Sequence, residues 1–158
     1  MTAVDFTDDE IAAAVLATAV HEAGHAVLHT LSGLRVVAMH VWHHGGDVTS
    51  GRVDIAETEI DDDQVDGYLT SVVAGGEAEA LWLSEHSRRS LRQARRQVYR
   101  SCRSDRLNYR RTHRDVADSL TETAARDRAH TLLTRHWDQV ERLAVRLADA
   151  RHLTCPAL

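Results

Sequence analysis

IAAAVLATAVHEAGHAVLHTL, residues 11–31, is a nearly continuous apolar segment made of helix-forming residues. Thr7 and Glu10 precede it with the spacing of a capping box, in which the two side chains satisfy amides of the first helical turn. A serine–glycine pair follows it and supplies a C-terminal stop. The sequence therefore predicts one helix from about residue 8 to Leu31, with the polar residues of HEAGH (21–25) in its middle.

The rest of the chain contains one β region and several helical patterns. RVVAMHVW (35–42) and VTSGRVD (48–54) are rich in β-formers and are separated by a glycine turn, which predicts a hairpin. Apolar spacings of three and four predict the helices that follow, at about 60–86, 87–102, 104–112 and 115–150, the last broken near 134–137. We therefore expect a mainly α (α+β) protein with one small hairpin or sheet, as a single domain over residues 1–158.

The composition excludes several classes of function. Aromatic residues make up only 4% of the chain, too few for a nucleic-acid binder built on stacked bases. The N-terminus lacks the basic and then apolar layout of a secretory signal, and the longest apolar run, residues 11–20, is shorter than the roughly 18–20 residues that span a bilayer. Cys102 and Cys155 form neither a disulfide framework nor a metal-binding pair. We therefore expect a cytoplasmic protein with free thiols and no membrane partner.

HEAGH combines two histidines four positions apart with a glutamate directly after the first. On a helix, such positions lie on one face, so His21 and His25 can reach the same ion. Zinc binds neutral imidazoles, and catalytic zinc has three protein ligands and one position open to water. Glu22 can then act as general base toward that water. The pattern predicts one zinc ion (Zn2+) per chain with Glu22 as catalytic residue; the alternative is two core histidines held by hydrogen bonds.

The wider stretch AVHEAGHAV (19–27) resembles the peptidase domain of the FtsH family, the membrane-anchored, ATP-dependent zinc proteases. VAGGEAEA (73–80) is similar to the Gly-Gly-x-x-Ala-Glu-Glu segment of that family, and residues 132–144 are similar to its last helices. The resemblance covers about residues 10–153 and implies a helical zinc metallopeptidase domain that hydrolyses peptide bonds. Because the chain has no GxxxxGK[ST] sequence and no membrane anchor, we expect an ATP-independent, stand-alone peptidase.

The same resemblance implies that an aspartate completes the metal site. The family carries it in a Ser-x-Asp-Leu context after the Gly-Gly helix, and the matching region here is SCRSDRL (101–107). Asp105 is the only acidic residue between Glu85 and Asp115, and it is the expected third ligand. Relative to Leu107, Asp105 lies one position earlier than the aspartate of the family pattern. The segment between Gly75-Gly76 and Asp105 is also longer than in the family. A longer intervening helix would absorb that difference. The alternative role is a helix cap or a salt bridge to a neighbouring arginine.

Other candidate ligands are weighed by their spacing. His29 lies about 12 Å along the helix from His21, too far for both to bind one ion with bonds of about 2 Å. We expect it in the core or beside the ligands. Glu77 or Glu79 could replace Asp105 in a thermolysin-type site, or could instead orient a histidine.

The hairpin histidines and the arginine-rich segment can each be interpreted either as ordinary surface or as a binding site. His40, His43 and His44 fit an exposed turn, and alternatively a weak extra metal site or a substrate contact. Residues 88–114 contain eleven arginines and one acid, which fits the solvated face of an amphipathic helix. The alternative is a non-catalytic zinc-binding regulatory or interaction module, whose basic face binds an acidic partner or nucleic acid.

The expected partner of the enzyme is a peptide or a flexible protein segment. Zinc peptidases commonly bind substrate as an added strand on a sheet edge, and the hairpin 35–54 is the only predicted strand material. Self-association, and an ATPase or regulatory partner acting in trans, stay open. We expect neither a membrane nor a nucleic acid as partner of the peptidase.

Overall fold

The structure, a computed structural model, describes residues 6–115, 120–154, 156 and 158, which contain six α-helices and three strands. The elements in chain order are α1 (Asp8–Leu31), β1 (Val36–Gly45), β2 (Val48–Ile55), α2 (Val65–His86), α3 (Leu91–Ser101), α4 (Arg103–Asp115), α5 (Glu122–Arg135), α6 (Trp137–Ala150) and β3 (His152–Thr154). A single 3-10 turn, Asp62–Gln64, precedes α2. The predicted class, mainly α with a small sheet, is confirmed.

Helix α1 lies at the centre of the fold and begins as predicted. The Thr7 hydroxyl accepts a hydrogen bond from the Glu10 amide, and the Glu10 carboxylate accepts one from the Thr7 amide. Its apolar residues join a core with residues of α2, α5, α6 and β1; those of α1 are Val15, Ala19, Val20, Ala23, Ala26, Val27 and Leu28. Glu22, His25 and His29 are buried in the same helix. Burying a polar group costs free energy unless the group is hydrogen-bonded. The partners of these three side chains therefore show where a functional site could lie.

By length and composition alone, α1 is long and apolar enough to cross a membrane. The prediction that no segment reaches this length is wrong by that criterion, because the apolar character continues past the histidines. In the structure, 56% of the most apolar window of α1 is buried inside the fold. A buried core helix passes the same test, so the property is weak evidence for a span.

Small residues let α1 and α2 pack closely. A Cβ added to Gly24 would lie 2.6 Å from the Cβ of Ala78, closer than real Cβ atoms approach. Gly75 faces the rings of His21 and His25 in the same way, one turn before Ala78. The backbone of α2 therefore lies directly against the histidines of α1.

The sheet has the order β2-β1-β3 and is antiparallel throughout. The predicted hairpin is confirmed as β1 and β2. The prediction that it is the only strand material is wrong, because β3 pairs with the other edge of β1. Arg151, with φ 64°, ends α6 in the left-handed conformation and turns the chain into β3. Among the described residues, no strand other than β1 pairs with β2. The backbone groups on the outer edge of β2 are therefore not paired with another strand.

The C-terminal helices follow the predicted pattern with corrected bounds. The break near 134–137 is confirmed, since His136 separates α5 from α6. The prediction of helix from about residue 115 is wrong at Thr121, whose hydroxyl caps α5 by accepting from the Ala124 amide. Residues 116–119 of that predicted helix lie outside the described residues. The predicted start of α2 near residue 60 is also wrong, since the helix begins after the 3-10 turn.

Candidate metal centre

Three side chains from two distant segments converge on one point. Helix α1 supplies His21 and His25, one turn apart, and the first turn of α4 supplies Asp105. His21 Nε2 lies 3.1 Å from His25 Nε2 and 3.0 Å from Asp105 Oδ2. His25 Nε2 lies 3.4 Å from the same carboxylate oxygen. These three atoms, the donor triangle, form a nearly equilateral arrangement.

The donor triangle has the size and chemistry that zinc requires. Four ligands at tetrahedral angles with bonds of about 2.0–2.1 Å are separated from one another by about 3.3–3.4 Å. The three distances are close to that value, and two imidazoles with one carboxylate are a suitable donor set. Gly75 leaves the space open, because a Cβ there would lie within 2.6 Å of His21 Nε2 and would also overlap His25 Nε2. The residues present therefore fit a zinc ion.

Hydrogen bonds on the outer nitrogens hold both imidazoles in the tautomer that a metal needs. His25 Nδ1 donates to the carbonyl oxygen of Ser71 at 2.7 Å, and His21 Nδ1 donates to Glu79 Oε2 at 3.0 Å. Carbonyl and carboxylate oxygens only accept, so the proton lies on Nδ1 in each ring. When the rings are neutral, the lone pair of each Nε2 then faces the donor triangle. The structure thus places Glu79 where it orients a histidine.

Glu77 points away from the donor triangle. Its carboxylate binds Arg95 through two hydrogen bonds of 2.6 and 3.0 Å, and it accepts a third from His130 Nδ1 at 2.8 Å. The Glu77 side chain is only 1% exposed, so these bonds compensate for the cost of burying its charge. Glu77 therefore ties α2 to α3 and α5, and it is not placed to bind the same ion as His21.

Helix α3 contains the residues that lengthen the connection to Asp105. It begins with a capping box between Ser90 and Gln93. Its apolar stripe packs against Ala80 of α2 and consists of Leu91, Ala94, Val98 and, at its end, Cys102. The chain then turns into α4, whose first-turn amides favour a negative charge. The structure brings the Asp105 carboxylate to the histidines and not to a cap position, despite its altered spacing.

The three groups of the donor triangle change one another's protonation. Burial alone would lower the pKa of His21, but its bonds to Asp105, Cys102 and Glu79 raise that pKa well above its ordinary value. The pKa of His25 is also raised, because Asp105 outweighs the effect of burial. Burial alone would raise the pKa of Asp105, but the two imidazoles lower it far below its ordinary value. Without a metal, protons therefore bind at this point, and a metal must displace them.

Glu22 lies beside the donor triangle in a space created by Gly51 of β2. A side chain at Gly51 would overlap the Glu22 carboxyl group. Glu22 is 6% exposed, and this burial raises its pKa, although the nearby charges of His21 and His25 partly offset the increase. A carboxylate with a raised pKa is a better proton acceptor, as a general base requires.

A groove crosses the site between the free edge of β2 and the start of α4. One part, of about 280 Å³, extends from His21 and His25 toward α2. The other, of about 420 Å³, extends along residues 47–51 of the hairpin. Both parts are lined by His21, Glu22, Gly51 and Ser104. An extended chain in the groove would therefore lie along the β2 edge and pass over Glu22.

His29 lies one turn beyond His25 and outside the donor triangle, as its spacing predicted. Its ring is 8% exposed, and Nδ1 lies 2.9 Å from the Ser71 hydroxyl oxygen. Burial lowers the pKa of His29 to about 3. The ring is therefore neutral at physiological pH.

The structure does not bring the hairpin histidines together. His43 Nε2 bonds to a turn carbonyl oxygen, and His44 Nε2 bonds to a serine hydroxyl of β2. His40 instead lies 3.5 Å from the carboxylate of Asp54 and stacks on His152 of β3, with ring centroids 4.3 Å apart. The three predicted residues therefore have separate partners.

Two residues of the site have no signal in the HEAGH pattern. Ser71 orients His25 through its backbone carbonyl, which any residue type provides, so its identity carries no information about this role. Gly51 has a weak signal, since a glycine inside a strand marks a close approach of another group. Both depend on the packing of α2 and β2 against α1.

No protein-family model matches the chain, and no curated protein matches it either. The evidence for a function therefore comes from the residues and their geometry.

Proposed function

We propose that this chain is a zinc metallopeptidase, a hydrolase of peptide bonds, with a domain similar to the peptidase domain of the FtsH family. The observation that carries the proposal is the donor triangle of His21, His25 and Asp105, with the buried carboxyl group of Glu22 beside it. A core role for the two histidines would not require a third donor at tetrahedral spacing or an open glycine face opposite them.

The residues divide the work between holding the metal and moving a proton. His21, His25 and Asp105 hold the zinc ion. When bound, zinc polarises a carbonyl group and lowers the pKa of water to about 7. Glu22 accepts a proton from the attacking water on its carboxylate and delivers it to the nitrogen of the leaving amine. Glu79 keeps His21 in the required tautomer throughout.

The free edge of β2 is the proposed binding strand for substrate. Its unpaired backbone groups can pair with an extended peptide, which requires no particular sequence. The groove beside it leads the peptide past Glu22 and the donor triangle. The proposed substrates are therefore peptides or flexible protein segments, because a folded chain could not enter as a single strand. The chain has no P-loop sequence, so the proposed hydrolysis uses no ATP bound by this chain.

Three variants test the proposal. Glu22→Gln should keep one zinc per chain and lose peptide hydrolysis, because the amide cannot accept the proton. Asp105→Ala should lose stoichiometric zinc. Glu85→Gln is the matched control, since Glu85 is exposed at the end of α2, and it should keep both. Zinc is measured by elemental analysis and hydrolysis with a fluorogenic peptide library. Unchanged cleavage by Glu22→Gln would contradict the mechanism, and full zinc in Asp105→Ala would contradict the ligand assignment.

The basic face of α3 and α4 favours a second candidate function, a non-catalytic zinc module that binds an acidic partner or nucleic acid. Eight arginines on or next to these helices are exposed: Arg88, Arg89, Arg92, Arg96, Arg100, Arg103, Arg110 and Arg111. A structural metal site has no use for a buried base, so Glu22 favours the peptidase. Strongly salt-dependent binding to a polyanion, together with no hydrolysis, would favour the module.

A further inference from the structure

The part of the groove beyond His25 contains polar groups that the proposed hydrolysis does not use. Its apolar walls come from Val53, Ile55 and Val72. Besides the residues of the candidate metal centre, the polar side chains that line it are His29, Arg52, Tyr68, Ser104 and Asn108. Arg52 is already paired with Asp54. We infer that this part of the groove, the carboxamide pocket, binds the primary carboxamide side chain of a substrate glutamine or asparagine next to the scissile bond. The inference rests on the proposed peptidase function and adds a substrate class to it.

His29 gives the carboxamide pocket a hydrogen-bond acceptor. The Ser71 hydroxyl lies 2.7 Å from the carbonyl oxygen of Tyr68 and 2.9 Å from His29 Nδ1. Because a carbonyl oxygen can only accept, the hydroxyl donates to it, and His29 Nδ1 then donates to the hydroxyl oxygen. The lone pair therefore lies on Nε2, for which the described residues supply no partner, although the side chain is only 8% exposed. This nitrogen is open to the groove, where it can accept a hydrogen bond from a ligand that donates.

Tyr68 and Asn108 provide the complementary donor. Asn108 Nδ2 lies 3.1 Å from the Tyr68 hydroxyl oxygen, and Asn108 Oδ1 lies 3.5 Å from it. In the shorter contact the amide donates to the phenol oxygen, so the phenol hydrogen has only the long contact and is available to a ligand. A carboxamide matches this pair of groups, because its NH₂ donates to His29 and its carbonyl oxygen accepts from Tyr68. A carboxylate lacks the donor, and an ammonium group lacks the acceptor.

The distance from the donor triangle suits a side chain of that kind. His29 follows His25 by four residues, or about 6 Å along the helix axis. An extended glutamine side chain spans about the same length from its Cα, given bonds of about 1.5 Å. The His29 ring stacks between the rings of His25 and Tyr68, with centroid distances of 6.2 and 6.0 Å. A row of rings thus leads from the donor triangle to the Tyr68 hydroxyl.

Two degenerate hexapeptide libraries test the carboxamide pocket, one with a fixed central glutamine and one with a fixed central methionine. Methionine has a similar length but no hydrogen-bond donor. We expect the zinc-loaded protein to cleave the glutamine library with a kcat/KM about ten- to a hundredfold higher, which corresponds to one or two buried hydrogen bonds. A ratio near one, or a preference for methionine, would overturn the inference.

Variants assign the preference to the pocket. Tyr68→Phe removes only the hydroxyl group, and His29→Leu removes the acceptor. Each should bring the glutamine-to-methionine ratio to within about threefold of one. Tyr99→Phe is the matched control, because Tyr99 is 44% exposed on α3, and it should keep the wild-type ratio. A ratio that survives Tyr68→Phe would overturn the inference even if His29→Leu does not fold.

A binding measurement separates this inference from the proposed hydrolysis. Fluorescently labelled libraries are titrated into zinc-loaded Glu22→Gln protein, and binding is followed by anisotropy. The glutamine library should bind about tenfold more tightly, and adding Tyr68→Phe should abolish the difference. If no library is cleaved by the wild type while this difference persists, the hydrolysis fails and the pocket stands. If both libraries are cleaved and bound equally, the pocket fails and the hydrolysis stands.

Discussion

Gly51 of β2 and Glu22 of α1 are in such close contact that any side chain at residue 51 would overlap the Glu22 carboxyl group. The contact joins the free edge of the sheet to the residue that we propose as general base. A peptide paired with β2 would therefore have its backbone next to this carboxyl group. In the proposed mechanism, this pair of residues would set both the position of the substrate and the position of the base.

Gly51→Ala tests this relationship. The added methyl group should displace the Glu22 carboxylate, so we expect kcat to fall about a hundredfold, the usual contribution of a general base. Zinc content should stay at one per chain, because the three ligands lie on α1 and α4. Steady-state kinetics and elemental analysis of the same preparation measure the two effects. Wild-type kcat in a folded Gly51→Ala protein would contradict the role of Glu22.

Gly75→Ala should remove the zinc that Gly51→Ala is expected to retain. A Cβ at Gly75 would lie beside the Nε2 atoms of His21 and His25, where we place the zinc ion. We therefore expect loss of zinc and, with it, loss of activity. Equilibrium dialysis against zinc measures the affinity, and Gly51→Ala is the control with a methyl group elsewhere in the site. Tight zinc binding by Gly75→Ala would show that the ion lies elsewhere.

Arg95→Met should destabilise the fold without affecting the donor triangle. It leaves the Glu77 carboxylate, which is 1% exposed, with His130 as its one remaining partner among the described residues. Because the Arg95 side chain is itself 37% exposed, we expect a loss of about 2–3 kcal/mol in the free energy of unfolding, less than the roughly 3–5 kcal/mol of a fully buried pair. Urea denaturation in EDTA measures it. The double variant Glu77→Gln/Arg95→Met should recover part of the loss. If its loss in the free energy of unfolding equalled the sum of the losses of the two single variants, the pairing would be contradicted.

The parts of the site differ in how far sequence reasoning can reach. His21, Glu22 and His25 lie within five residues of one helix, so the helical repeat alone places the two histidines on one face. Asp105 lies 84 residues from His21, and no local pattern predicts that contact. Asp105 was predicted only from the resemblance to a family. Its contact with His21 depends on the bends of the chain before and after α3. Gly51 depends on the packing of the hairpin against α1, which the sequence of neither segment contains.

The same division applies to the fold. The α1 bounds and the hairpin follow from a capping box, apolar periodicity and a glycine turn, which are all local signals. Strand β3 is three residues long, too short for an alternating pattern, and it exists because Arg151 turns the chain back onto β1. The predicted start of α2 near residue 60 is too early. Thr58 and Asp61 are residue types that commonly cap helices, whereas the observed cap, Gln64, makes no side-chain hydrogen bond.

His29 should make the stability of the metal-free protein depend on pH. Burial lowers its pKa in the folded state to about 3, whereas the unfolded chain binds a proton near the ordinary value of about 6.5. The unfolded state therefore binds more protons between these values. The contribution of His29 to the free energy of unfolding is complete above about pH 6.5 and is lost as the pH falls, by about 1.4 kcal/mol per unit.

His29→Gln isolates this effect, because the amide does not titrate and the other histidines are common to both proteins. We expect the free energy of unfolding of the wild type to fall by about 2 kcal/mol more than that of the variant between pH 7 and pH 5. Urea denaturation in EDTA at the two pH values gives the difference. Equal pH dependence in the two proteins would mean that the His29 ring is accessible to protons in the folded state, and the acceptor proposed for the carboxamide pocket would then be a cation below neutral pH.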